Sequence, residues 1–207
     1  MKKILFTLSL LCISTVNSVI FAKGFSFGIE GGAGLNTAEI EFNNSMESDF
    51  DFIPTYRFGA NVEYSFNDVT SIKAKTLFHH SNGFSFTDST GKTKVSFDTI
   101  DIPVLMKLCF AGIENIPGRF SVFAGPNFSF RFSDIRESHG GFSSDEKLYK
   151  SDDIFAAGIE AGAEYAFSKE SGFLLGFSTL LDFTSFSKDK DFDLHRICVM
   201  PYLGYQF

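Results

Sequence analysis

The feature that most constrains this chain is a two-residue period that recurs in eight segments of about 10 to 14 residues each. It is plainest in the last segment, where Ile197, Val199, Pro201, Leu203, Tyr205 and Phe207 alternate with an opposite row that begins Arg196, Cys198 and Met200. Successive side chains of a strand point to opposite faces, so each segment reads as a strand with one apolar and one polar face. In water, an alternating strand that ends on an exposed aromatic leaves a sticky edge. In a bilayer the same row faces lipid, and the final ring sits at the interface where amphipathic rings collect.

The other seven segments obey the same parity. The first, Phe25 to Leu35, sets Phe25, Phe27, Ile29, Ala33 and Leu35 against Ser26, Glu30 and several glycines. The second sets Tyr56, Phe58, Ala60, Val62, Tyr64 and Phe66 against Arg57, Asn61, Glu63 and Ser65, and the third sets Ile72, Ala74, Thr76 and Phe78 against Lys73, Lys75, Leu77 and His79. In the fourth, Ile100, Ile102, Val104, Met106, Leu108 and Phe110 oppose Thr99, Asp101, Pro103, Leu105 and Lys107. The fifth pits Phe120, Val122, Ala124, Phe128 and Phe130 against Ser121, Asn127, Ser129 and Arg131. In the sixth, Phe155 to Phe167, the odd positions oppose Gly158, Glu160, Gly162 and Glu164; in the seventh, Phe173 to Phe183, they oppose Ser178 and Asp182.

No stretch of the remaining sequence approaches the roughly 18 to 20 consecutive apolar residues of a spanning helix, so a membrane-crossing form must be a closed barrel. The expected fold is therefore all-β: an eight-stranded antiparallel up-and-down barrel, with the last segment pairing with the first. Phenylalanine supplies 28 of 207 residues and tryptophan none, and most of the phenylalanine falls on the outward parity or at strand ends. A soluble lipocalin-like barrel with its aromatic rows inside shares the alternation. The aromatic rows are too bulky for an eight-stranded interior, which favours lipid outside.

Three connections are short, at Asn67-Asp68, Ala111 to Gly118 and Ser168 to Ser171. The other four are longer and polar, at Asn36 to Phe52, Ser81 to Ser96, Ser133 to Asp152 and Ser185 to Asp193. Short periplasmic turns and long extracellular loops are the usual asymmetry, which would put both termini in the periplasm.

The N-terminus fits export. Lys2 and Lys3 precede a mostly apolar stretch from Ile4 to Ile20, and Ala22 offers a small residue for cleavage, so residues 1–22 read as a signal peptide and 23–207 as the barrel. Leu11 before Cys12 argues against a lipoprotein signal. Without Lys2 and Lys3, the 18 basic residues become 16 against 25 acids, a formal charge of −9 that disfavours nucleic acid as a partner. Cys109 and Cys198 fall on strands four apart and at different heights, too distant for a disulfide, so both are expected as free thiols facing inward.

The inward charges balance: Arg57, Lys73, Lys75, Lys107, Arg131 and Arg196 against Glu30, Glu63, Asp101, Glu160, Glu164 and Asp182. An eight-stranded barrel is just wide enough for side chains to fill, so equal opposite charges imply a paired plug. A narrow ion pathway, the alternative, would be expected to carry a ring of one sign.

The string Phe97-Asp98-Thr99-Ile100-Asp101-Ile102-Pro103-Val104-Leu105-Met106-Lys107 resembles the fourth strand of the outer-membrane β-barrel family that includes PorT-type and porin-like proteins. Phe123 to Asn127 resembles its next strand, Gly158 to Phe167 its sixth, and Tyr205-x-Phe207 its closing strand. The resemblance spans nearly all of residues 23–207. It implies a bacterial outer-membrane location, outer-membrane lipid around the wall, and a C-terminal aromatic signal, Tyr205 and Phe207, read by the barrel-assembly machinery. It implies no reaction.

One string points to an enzyme. His79-His80-Ser81-Asn82-Gly83 resembles the His-x-Ser-Asn motif of lipid A deacylase barrels, which implies ester hydrolysis with His79 activating Ser81. Parity turns both residues inward, however, and no Glu follows to orient the histidine; Asp98 or Asp101 would have to substitute. The acidic run Glu39, Glu41, Glu47, Asp49 and Asp51 reads as a solvated loop, with cations or a basic ligand as the alternative. Asp189, Asp191 and Asp193 lack calcium-loop spacing, and no phosphate loop, dinucleotide fingerprint or His/Cys metal spacing occurs. The expectation is a monomeric, non-enzymatic surface barrel without cofactors, whose loops could meet an extracellular ligand.

Overall fold

The computed structural model describes residues 24–42, 45–46, 53–81, 85–88, 91–110, 118–133, 136–139, 154–167, 172–184 and 193–207. The expected signal peptide and the acidic positions 47, 49 and 51 lie outside the described residues.

Eight strands form the wall: β1 (Phe25–Phe42), β2 (Ile53–Ser65), β3 (Thr70–Ser81), β4 (Gly91–Phe110), β5 (Arg119–Arg131), β6 (Phe155–Ala166), β7 (Gly172–Asp182) and β8 (Asp193–Gln206). Each pairs antiparallel with its sequence neighbours, and β8 pairs with β1 from Gly28↔Gln206 to Glu41↔Asp193. The sheet is closed, as the alternation predicts, and the strand ending in Phe207 has a partner on both sides.

A walk across paired residues from Phe25 passes Tyr64, Ile72, Met106, Ala124, Ala161, Thr179 and Val199 and re-enters β1 at Leu35, ten residues above its start. Ten residues of rise over eight inter-strand steps tilt the strands by about 40°. A strand of 13 residues such as β2 then climbs about 30 Å along the axis, the thickness of a bilayer's hydrocarbon core.

The parity holds around the ring. Ile29, Met106, Phe128, Ile159, Phe177 and Leu203 are exposed on the outer wall, while their strand neighbours are buried inside. Rings cluster near the end with the short turns, where Phe25 lies 4.7 Å from Tyr64, and Tyr64–Phe66, Tyr165–Phe167 and Tyr205–Phe207 each sit 5.1 Å apart. A second set, including Phe58–Phe78 and Phe130–Phe155, lies toward the other end. At the β2–β3 turn the Asn67 side-chain oxygen accepts from the backbone N–H groups of Val69 and Thr70, both at 2.9 Å, which closes the tight turn.

The strands outrun the expected segments at the loop end. β1 continues through Asn36 to Phe42, and β4 begins at Gly91, where loops were expected. Short strands also pair with β4 there: Ser85–Asp88 along Gly91–Lys94 and Arg136–His139 along Thr93–Ser96. Backbone ladders persist there although the apolar row of β1, on odd positions from Phe25 to Leu35, passes to even positions at Ala38, Ile40 and Phe42.

Candidate functional site

All eight strands send polar side chains inward, and among the described residues these groups concentrate in the lumen. Each of the twelve charged residues expected there is buried, none more than 7% exposed. Cross-strand register decides which of them meet, and they form two tiers.

The tier toward the short turns is built from glutamates and lysines. Lys107 Nζ lies 2.9 Å from Glu63 Oε2 and also contacts Glu164, whose Oε2 accepts from Lys73 at 2.9 Å and from the Tyr202 hydroxyl at 2.9 Å. Ser71 donates to Glu63 at 2.6 Å. Glu30 takes Lys75 at 2.8 Å, Asn61 at 3.1 Å and, more distantly, Lys73 at 3.7 Å. Lys75 reaches on to Glu160 at 3.3 Å, and Arg57 grips that carboxylate with two N–H groups at 2.7 and 3.2 Å while donating to Ser178 at 2.6 Å.

The tier toward the loops turns on Arg196. Its Nε donates to Asp182 at 2.9 Å, and its two terminal nitrogens reach Asp101 at 3.2 Å, Thr99 at 3.1 Å and Ser129 at 2.8 Å. His79 Nδ1 lies 2.8 Å from Asp101 and 2.9 Å from Arg196, and its Nε2 lies 2.9 Å from Thr55 Oγ1. Arg131, paired in register with Thr99, is buried in the same half. Buried charges in a low-dielectric space persist when they are paired and hydrogen-bonded, as these are.

Between and beside the charges lies an apolar group: Leu105, Phe123, Leu174 and Tyr202 form one cluster, and Leu180, Cys198 and Met200 another. The Phe123 and Tyr202 rings flank the Lys75 ammonium at 5.0 and 4.9 Å. Sequence reasoning missed both rings. Phe123 sits between Val122 and Ala124, where three apolar residues in a row hide the period, and Tyr202 was passed over because its phenol suits either face. Both cysteines are free and buried, on β4 and β8.

His79 and Ser81 are fully buried in the lumen. The Ser81 hydroxyl accepts from the Asn36 amide, and His79 turns to Asp101 and Thr55, so among the described residues the two do not hydrogen-bond to each other. The neighbouring His80 faces outward, stacked 4.9 Å from Tyr56 with Nδ1 2.6 Å from Asp98. No group of three or more metal-ligating side chains occurs among the described residues.

Residues 17–188 match a family described as outer membrane protein beta-barrel domain. Among solved structures, the outer membrane protein OprG from Pseudomonas aeruginosa is 15% identical with a TM-score of 0.51, covering 89% of this chain and 96% of that one. Neisserial surface protein A is 14% identical at a TM-score of 0.46, covering 89% and 100%. Ail, the attachment invasion locus protein of Yersinia pestis, is also 14% identical at 0.46, covering 89% and 99%. At 15% identity the likeness to OprG bears on the fold alone. No curated protein matches the chain.

Proposed function

The chain belongs to the outer membrane protein β-barrel domain family, and from that premise we propose that it is a plugged barrel that serves as a structural or surface-binding element rather than a passage. The observation that carries this reading is the lumen itself, where acids and bases from seven of the eight strands are buried and joined in ion pairs and Arg131 of the remaining strand, β5, is buried beside them. A passage for ions or solutes would favour exposed groups of one sign. Its place is the bacterial outer membrane. The short turns and both chain ends face the periplasm, and the long connections reach the cell exterior, where they are free to hold an extracellular ligand.

In this reading His79 and Ser81 do no hydrolysis. Lipid cannot reach them through the wall, and each is engaged by another partner. Ser81→Ala should leave the acylation of lipid A unchanged in cells that make it, as read by mass spectrometry of extracted lipid. The reading as a whole is tested in planar bilayers. Purified, heat-modifiable protein should give no discrete current steps, and a steady, sizeable conductance would overturn it. Binding of intact cells to host matrix, with the long loops present or shortened, tests the surface role.

A further inference from the structure

The two kinds of material in the lumen do not exclude water equally. Every group in an ion-pair network can donate to or accept from water, so a hydrated chain can thread such a network when the pairs exchange. Hydrocarbon and ring faces offer water nothing, and an apolar constriction closes by dewetting. Of the two apolar clusters in the lumen, the one that carries ring faces is that of Leu105 on β4, Phe123 on β5, Leu174 on β7 and Tyr202 on β8.

The wall is cut to seat this layer. A Cβ on Gly162 would fall 2.6 Å from Phe123 Cζ, and one on Gly176 would fall 2.2 Å from Tyr202 Cζ. Both rings therefore lie against bare backbone, in space that only glycine leaves. From the opposite arc Lys75 on β3 reaches between them, with its ammonium 5.0 and 4.9 Å from the ring centroids and held by Glu30 at 2.8 Å. The Tyr202 hydroxyl donates to Glu164 at 2.9 Å, while the ring itself is seated by Gly176.

We propose that this half-layer, with Phe123 and Tyr202 closed on Lys75, is the permeability seal of the barrel, and that the ion pairs on either side hold the wall together without sealing it. The proposal rests on the reading of the lumen as closed. It assigns a role to two aromatic residues and two glycines, Gly162 and Gly176, that no charge-pairing argument would single out.

The test is ion leak from liposomes and single-channel recording, on protein whose folding is confirmed by heat-modifiable migration. Wild type and Tyr202→Phe, which keeps the ring, should be silent. The double variant Phe123→Ala/Tyr202→Ala should raise the leak at least about tenfold and show discrete steps, because the constriction no longer dewets. Gly176→Ala, which displaces the Tyr202 ring with one methyl group, should leak measurably and carries the test if the double variant does not fold. Asp182→Asn, which removes one carboxylate partner of Arg196 and touches neither ring nor Lys75, should stay at the wild-type level. A silent double variant and silent Gly176→Ala, or an Asp182→Asn leak equal to that of the ring variants, would overturn the seal while leaving the closed lumen intact. A conducting wild type would instead overturn the closed-lumen reading.

Discussion

The two ends of the lumen solve the same electrostatic problem differently. Toward the short turns, Lys73, Lys75, Lys107 and Arg57 share Glu30, Glu63, Glu160 and Glu164 so that most groups have two partners of opposite sign. Toward the loops, one side chain gathers the tier: Arg196 from β8 touches His79 on β3, Thr99 and Asp101 on β4, Ser129 on β5 and Asp182 on β7. When Glu164 is removed from the shared lattice, Lys73 and Lys107 each keep a second carboxylate. Removing a hub breaks all of its links. The difference follows from side-chain shape, since lysine is a flexible point charge and the planar guanidinium presents donors in fixed directions.

The contrast is broken or sharpened by single substitutions, read as the shift in urea midpoint for reversible folding into detergent or lipid. Arg196→Met should cost most, about 3 to 5 kcal/mol, because Asp101 and Asp182 lose their common cation inside the barrel. Glu164→Gln should cost less, about 1 to 3 kcal/mol, because Lys107 keeps Glu63 and Lys73 keeps Glu30. Equal losses in these two variants would erase the distinction between hub and lattice. Tyr202→Phe should cost about 1 kcal/mol, the worth of one hydrogen bond to a carboxylate with the ring left in place. Ser178→Ala should fall lowest, at about 0.5 kcal/mol, since Arg57 retains its two-point grip on Glu160.

What the sequence revealed and what it hid have separate physical causes. Inward and outward positions were legible because a strand alternates strictly and the wall separates lipid from a polar interior, so Glu160 between Ile159 and Ala161 declares its side at once. Partnership was not legible. Arg57 meets Glu160 across 103 positions, a contact set by barrel closure and shear rather than by any local pattern. Strand length was hidden at Thr37 to Phe42, where Thr37, Glu39 and Glu41 still alternate with Ala38, Ile40 and Phe42 but the apolar row has passed from odd to even positions and the acids read as a solvated loop. Parity alone placed Leu77, Leu105 and Met200 inside, but Phe123 was hidden because Val122 and Ala124 flank it with apolar residues and the glycine that accommodates it is on another strand.

The filled lumen is the centre of this account, and the chain carries its own reporter for it. Cys198 is a free thiol, 2% exposed, beside Leu180 and Met200 in the lumen. In folded protein reconstituted in lipid, a small charged methanethiosulfonate reagent should leave Cys198 unmodified over a period that fully modifies the boiled chain, as read by mass spectrometry of the tryptic peptide. Modification of Cys198 in the folded barrel at the rate of the unfolded chain would show a water-filled lumen and contradict the account.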